Sequence, residues 1–337
     1  MPALDPVHTL VSLLPVLCFL GALLLLDSYK LVSLRAVIAA VAGGAVVAGA
    51  GYFLNGWILG STGLEMGPYS RYVAPLVEEL LKGLIIVALI RASRIGFLVD
   101  AAIFGFGVGA GFAIIENLHY LTLVREASMG LWIVRGFGTA LMHGGVTALF
   151  AVMGLAMLEK SRGAGWRSFF PGYAMAVVMH SGFNHLLANP KAATLATLLV
   201  LPPVFYLVFR QSEKAVGEWL GQGFDADTEM LGLINSGRLT DSPIGLYLHT
   251  LKDRFQGPVV ADLLCYLRLY TELALRAKGI LMMRESGFEV PVDEETRAKF
   301  EEMRYLEGSI GRTGLLALKP MLHMSHKDLW QLYMIGK

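Results

Sequence analysis

The stretch Pro75-Leu-Val-Glu78-Glu79-Leu-Leu-Lys82 puts two adjacent carboxylates and a lysine inside an apolar run, Tyr72–Ile90, that is long enough to cross a bilayer. On an insertion scale each such charge costs about 2.5–3.5 kcal/mol at mid-membrane, while each Leu, Ile or Val returns only about 0.3–0.6. The three charges outweigh the aliphatics around them unless they lie near one edge or find partners. An ionisable residue kept in a membrane helix is by default functional, so the question becomes which other groups meet these.

Composition supports the membrane reading. Of 337 residues, 55% are hydrophobic and 16% charged, with a mean hydropathy of +0.57. A soluble domain carries about 25% charged residues. Residues 1–210 hold 13 Lys/Arg and 9 Asp/Glu, whereas residues 211–337 hold 15 and 18. That shift near Arg210 predicts a transmembrane core, 1–210, and a cytoplasmic helical accessory domain, 211–337. A net charge of +1 with no basic run argues against nucleic acid as a partner. Cys18 falls in an apolar run and Cys265 in the tail, so no structural disulfide is expected.

Seven apolar runs read as spans: Thr9–Leu26, Leu34–Leu54, Tyr72–Ile90, Phe97–Leu123, Phe137–Leu158, Phe169–Leu187 and Ala192–Phe209. The predicted fold class is therefore all-α, a polytopic bundle of about seven spans with a C-terminal soluble helical domain. The first run lacks a basic leader and a small-residue cleavage site, and reads as a retained anchor. Lys30 and Arg35 flank the first connection, Arg91 and Arg94 the third, and Lys160, Arg162 and Arg167 the fifth. The alternate connections hold Arg71, Arg125, Arg135 and Lys191 more sparsely. The positive-inside rule then places the N-terminus outside and the tail in the cytoplasm.

Gly105-Phe-Gly107-Val-Gly109-Ala-Gly111 sits within a span and reads as two small-xxx-small pairs for close helix packing, not as a phosphate loop. Gly43, Gly44, Gly49 and Gly51 read the same way, and Pro202-Pro203 is expected to kink or fray the seventh span. In the tail, Val260, Leu263, Leu264, Leu267, Tyr270 and Ala274 share one helical face, with Arg268, Glu272 and Arg276 as an i,i+4 ladder turned away from it. Asp293 is a candidate N-cap for a helix running to Gly308, and His323 and His326 read as surface residues.

The remaining polar groups within spans are few: Glu116, Asn117, His119 and Tyr120 in the fourth, His143 in the fifth, and His180, Asn184 and His185 in the sixth. With spans of alternating direction, Glu78, Glu116, His143 and His180 each lie six or seven residues from the outer boundary. At 1.5 Å per residue that is about 10 Å below the outer surface. The four are expected to converge on one outward-opening, water-accessible cavity. Lys82 can neutralise Glu79 at i,i+3 or Glu78 at i,i+4, leaving Glu78 as the base, or the reverse. Glu116, His143 and His180 would make a three-ligand zinc set with one open position, Asn184 could donate to a developing oxyanion, and Asn117 and Tyr120 are supporting residues. Read without chemistry, the same residues form a buried structural network, a scaffold, or the solute or ion site of a transporter or receptor.

Taken together, Glu78-Glu79-x-x-Lys82, Phe112-x-x-x-Glu116-Asn117, the isolated His143 and His180-x-x-x-Asn184 resemble the PrsW-type intramembrane proteases, relatives of the CAAX prenyl proteases and of bacteriocin-processing membrane proteases. The resemblance covers about residues 70–190. It implies an all-helical enzyme of the bacterial plasma membrane that cleaves a peptide bond of a membrane-anchored protein in or beside the lipid bilayer. It also implies functional roles for Glu78, Glu79, Glu116, His143, His180 and Asn184, and an anti-sigma-factor-like substrate cut from its outer side. Whether metal or glutamate-activated water does the chemistry is left open by the motifs, and oligomeric state is not addressed by them.

Overall fold

The computed structural model describes residues 5–124, 126–160, 165–186, 189–288, 290–318 and 321–322. Arg125, Arg162, Leu187, His323 and His326, used above, lie outside the described residues. All regular structure among the described residues is helical. The chain divides into two compact units, one holding residues up to Asp27 and Leu31–Glu213, the other Ser28–Lys30 and the chain from Lys214.

The first unit contains α1 (Pro6–Leu25), α2 (Leu34–Thr62), α3 (Ala74–Arg91), α4 (Leu98–Leu123), α5 (Leu141–Lys160), α6 (Phe170–Leu186) and the first half of α7 (Pro190–Asn235). Two short π-helical segments, Tyr69–Val73 and Val134–Ala140, lead into α3 and α5. Among the described residues, five helical stretches are long and apolar enough to cross a membrane: Pro6–Leu25, Leu34–Thr62, Leu98–Leu123, Met129–Lys160 and Pro190–Asn235. The other two expected spans fall outside that set for physical reasons. In α3 the charges Glu78, Glu79, Lys82 and Arg91 dilute the apolar run, and α6 has only 17 residues.

Every residue of α4 from Val99 to Ala113 is buried, so this helix is the axis of the unit. Its glycines explain how neighbours come so near. A Cβ on Gly109 would lie 2.2 Å from the His143 carbonyl oxygen, and one on Gly105 2.6 Å from Ala148 Cα, both in α5. On the opposite side a Cβ on Gly111 would lie 1.9 Å from the Val41 carbonyl oxygen of α2, and α2 reciprocates with Gly44, 1.9 Å from the Val108 carbonyl oxygen. The two glycine pairs thus serve two different helices, with Gly105, Gly109 and Gly111 set against backbone and Gly107 against the Ala40 methyl. Gly49 has open space around it and packs nothing.

The helix α7 is neither ended nor frayed at Pro202-Pro203; it runs 46 residues to Asn235. Each proline forgoes one i→i−4 bond, to the carbonyls of Leu198 and Leu199, while the rest of the ladder holds.

The second unit continues α7 and adds α8 (Pro243–Leu251), α9 (Gly257–Glu285) and α10 (Glu294–Leu318). On α9, Leu263, Tyr266, Leu267, Tyr270, Leu273, Ala277 and Ile280 share one core with Phe300, Met303, Leu306 and Ile310 of α10. Leu264, expected on that face, is exposed instead. Asp293 caps α10, its Oδ1 accepting from Thr296 N at 2.9 Å, and the helix passes Gly308 to break at Gly311, whose φ is +61°. Arg268 bonds Glu272 at 2.9 Å, but Arg276 pairs with Asp293, and Lys299 is the second partner of Glu272 at 3.1 Å. Burial raises the Glu272 pKa, yet the bonds from Arg268 and Lys299 outweigh it and hold this carboxyl below its ordinary value. Cys18 and Cys265 are both free thiols.

Candidate active site and metal centre

Adjacent residues on a helix point about 100° apart, and Glu78 and Glu79 accordingly meet different surroundings. Glu79 is 2% exposed, and its Oε1 accepts from Lys82 Nζ at 2.6 Å and from His180 Nδ1 at 2.7 Å. Glu78 opens onto a cavity of about 1610 Å³ whose lining also includes Glu116, His143, His180, Asn184 and Arg135. Glu78 Oε1 accepts from Asn55 Nδ2 at 3.1 Å, and Glu78 Oε2 lies 3.9 Å from His180 Nε2.

His143 is held from both ends. Lys82 Nζ lies 3.2 Å from its Nδ1 and Glu116 Oε2 3.0 Å from its Nε2. An ammonium offers only donors, so Nδ1 accepts and Nε2 carries the proton donated to Glu116. The Lys82 ammonium also lies 4.8 Å from the centre of the Phe112 ring, and the His143 and His180 rings stand edge to face at 4.8 Å. This one lysine therefore bridges a carboxylate and an imidazole from different helices, which is how a buried ammonium is accommodated.

Beyond Glu116 the cluster continues to α1. Arg135 Nη2 is ion-paired with Glu116 Oε2 at 3.2 Å, and its Nε donates to Asn117 Oδ1 at 2.8 Å. Asn117 Nδ2 in turn donates to the Ser12 carbonyl at 2.8 Å. The guanidinium stacks 3.7 Å above the Tyr120 ring. Asn184 Nδ2 donates to the Ser70 carbonyl at 2.8 Å, so this amide is engaged with the π-helical turn before α3.

The structure thus brings Glu78, Glu79, Lys82, Glu116, His143 and His180 into one connected cluster, with Asn117 and Tyr120 behind it. Three residues went unnoticed in the sequence. Arg135, counted there as a connection charge, is 7% exposed and sits at the site because the π-helical segment carries it inward. Its signal was a lone basic residue at the mouth of a span, facing the otherwise unpaired Glu116. Asn55 lies one residue past the expected end of the second span, but α2 runs on to Thr62 and carries it to the cavity wall. Tyr69, whose hydroxyl donates to Asn55 Oδ1 at 2.8 Å, gave no signal at all.

The donor atoms that gather closely belong to Glu78, His143 and His180, all within 4.8 Å of one another. Glu78 is thus a candidate to share a centre with both imidazoles, while Glu116, the ligand the sequence pointed to, contacts His143 at 3.0 Å and Arg135 at 3.2 Å. Two nitrogens and a carboxylate oxygen suit zinc, whose ligand bonds of about 2.0–2.2 Å set ligand atoms about 3.4 Å apart. Drawing the three onto one ion would require His143 to give up one of its two present bonds, to Lys82 at Nδ1 or to Glu116 at Nε2. His180 has Nδ1 anchored on Glu79 and Nε2 turned toward Glu78, the carboxylate-backed imidazole common among metal ligands.

No curated protein and no solved structure matches the chain. A family model described as PrsW family intramembrane metalloprotease matches residues 32–209, more than half of the 337 residues and all of the cluster from Asn55 to Asn184 except its Ser12 anchor. With acids and imidazoles from separate helices meeting at a cavity in an integral membrane protein, and with that match, the chain belongs to the PrsW family of intramembrane metalloproteases and is a peptidase.

Proposed function

We propose that this protein hydrolyses a peptide bond of a membrane-anchored protein near the extracytoplasmic face of the bilayer, with Glu78, His143 and His180 as the reaction centre. The observation that carries this reading is the juxtaposition of Glu78 with two imidazoles at the wall of a cavity large enough for an extended peptide segment. Where no metal takes part, Glu78 receives the proton of the attacking water and returns it to the leaving amine, because Glu79 Oε1 already takes bonds from Lys82 and His180. Glu79 orients His180, Glu116 orients His143, and Lys82 offsets the charge of Glu79. Glu78, His143 and His180 would hold the metal, zinc by donor type. When bound, it would lower the pKa of a water to about 7 and polarise the scissile carbonyl. Asn184, expected to face an oxyanion, acts on the position of α6 through its bond to Ser70.

The proposed topology has α3 and α6 crossing the bilayer with the five apolar helices, their charges satisfied within the cluster. It places the N-terminus outside and the second unit in the cytoplasm as an accessory domain. The Lys and Arg distribution of the connections supports that orientation. The resemblance suggests an anti-sigma-factor-like substrate. No observation among the described residues favours a transporter or receptor.

The test is reconstitution of the purified protein with a library of single-span substrates, comparing wild type with Glu78→Gln and His180→Ala. Cleavage lost in both variants supports the site; persistent cleavage in both removes it. Metal content by mass spectrometry with chelator sensitivity separates metal-assisted from metal-free water activation.

A further inference from the structure

Asn55 and Tyr69 lie outside every motif that pointed to the site, yet they form the only hydrogen-bonded chain recorded on Glu78 Oε1 among the described residues. Asn55 Nδ2 donates to that oxygen at 3.1 Å, and the Tyr69 hydroxyl donates to Asn55 Oδ1 at 2.8 Å. A carboxamide has a donor end and an acceptor end. Flipped, Asn55 would turn its oxygen toward an ionised carboxylate, acceptor against acceptor. The carboxylate therefore fixes the sense of the amide, the Tyr69 hydroxyl holds its far end, and the amide fixes which oxygen of Glu78 stays turned to His180 Nε2.

The same segment also reaches the helix that carries His180. Tyr69 is 3% exposed and opens the π-helical turn Tyr69–Val73. The next two carbonyls of that turn are taken from α6, Ser70 by Asn184 Nδ2 at 2.8 Å and Arg71 by Ser181 Oγ at 2.6 Å. A π-turn changes the register of backbone bonding, and such turns recur at functional sites. One turn thus holds Asn55 on one side and the neighbours of His180 on the other.

We propose that Asn55 and Tyr69 are positioning residues for Glu78, Tyr69 acting through Asn55 to hold the carboxylate at its separation from His180. This rests on the reading of Glu78 as the acceptor of the water proton. A displacement of the reacting group by about 1 Å costs on the order of 100-fold in rate, so the effect belongs in kcat.

The test uses the full chain in liposomes with a single-span reporter cut by the wild type, and the variants Glu78→Gln, Asn55→Ala, Tyr69→Phe and the Asn55→Ala/Tyr69→Phe double. Asn55→Ala is expected to lower kcat by about 10–100-fold with KM held within about twofold, and Tyr69→Phe by less. The double variant should be no slower than Asn55→Ala alone, since Tyr69 works only through that amide; independent packing roles would multiply instead. Multiplicative losses, an effect confined to KM, or wild-type kcat in Asn55→Ala while Glu78→Gln is inactive would each overturn this inference and leave the site reading standing. A reporter cut equally by Glu78→Gln overturns the site reading and this inference with it.

Discussion

Arg135 shows what a single side chain contributes here. It is buried, pairs with Glu116, donates to Asn117 and stacks on Tyr120. Arg135→Ala should lower stability by about 3 kcal/mol, the lower end for a broken buried pair, because the Glu116 side chain keeps 28% exposure. Adding Glu116→Gln should recover part of that loss, and denaturant unfolding in detergent measures both. The two donor sets separate just as sharply. Glu78→Ala should abolish stoichiometric zinc, whereas Glu116→Gln should retain it with about 10–100-fold weaker affinity, as for an outer partner of a ligand. Equal zinc loss in the two variants would restore Glu116 as a ligand. Counting residues inward from the span ends anticipates which acids and imidazoles meet. It cannot tell Glu78 from Glu116 as the companion of the imidazoles, since that depends on rotation about α3 and α4 and on an arginine arriving from a π-turn. Glu79 and Lys82, by contrast, were legible as a pair from their i,i+3 spacing.

Helices set a different kind of constraint. The glycine run of α4 was legible as packing surface because its spacing is i,i+4 and no strand precedes it. That the two pairs would face different neighbours follows from their offset of two residues, about 200° around the axis. Gly109→Ala should force α5 away from α4, since the added carbon would meet the backbone of His143 itself. A loss of about 1–3 kcal/mol is expected from such overpacking, together with loss of cleavage. Gly21→Ala, with nothing within 4 Å of the added carbon, should leave cleavage intact and gain up to about 1 kcal/mol of helix propensity. Thermal unfolding of both variants and a cleavage assay check the contrast. The π-helical segments were illegible beforehand, because their extra residue per turn leaves no mark on hydrophobic periodicity. At Pro202-Pro203 the expected fraying does not occur, because a 46-residue helix absorbs two missing bonds.

Across the whole chain, the shift in charge density near Arg210 falls within a few residues of the division between the two units at Glu213. The count of crossings is harder to read, since α3 holds functional charges that spoil its own hydropathy. The proposed orientation can be read on native thiols. A membrane-impermeant maleimide applied to intact cells should leave the exposed Cys265 unlabelled and label it only after permeabilisation. Labelling of Cys265 before permeabilisation would invert the topology.

Because α4 meets α2 at Gly44 and Gly111, and α5 at Gly105 and Gly109, through bare backbone, those crossings have no rotamers that could yield to an incoming chain. Admission of a bulky guest must then be the business of the borders, above all the cavity-facing end of α2 beyond Gly51 and the turn at Tyr69–Val73. A catalytic floor clamped this firmly trades breadth of fit for constancy of aim.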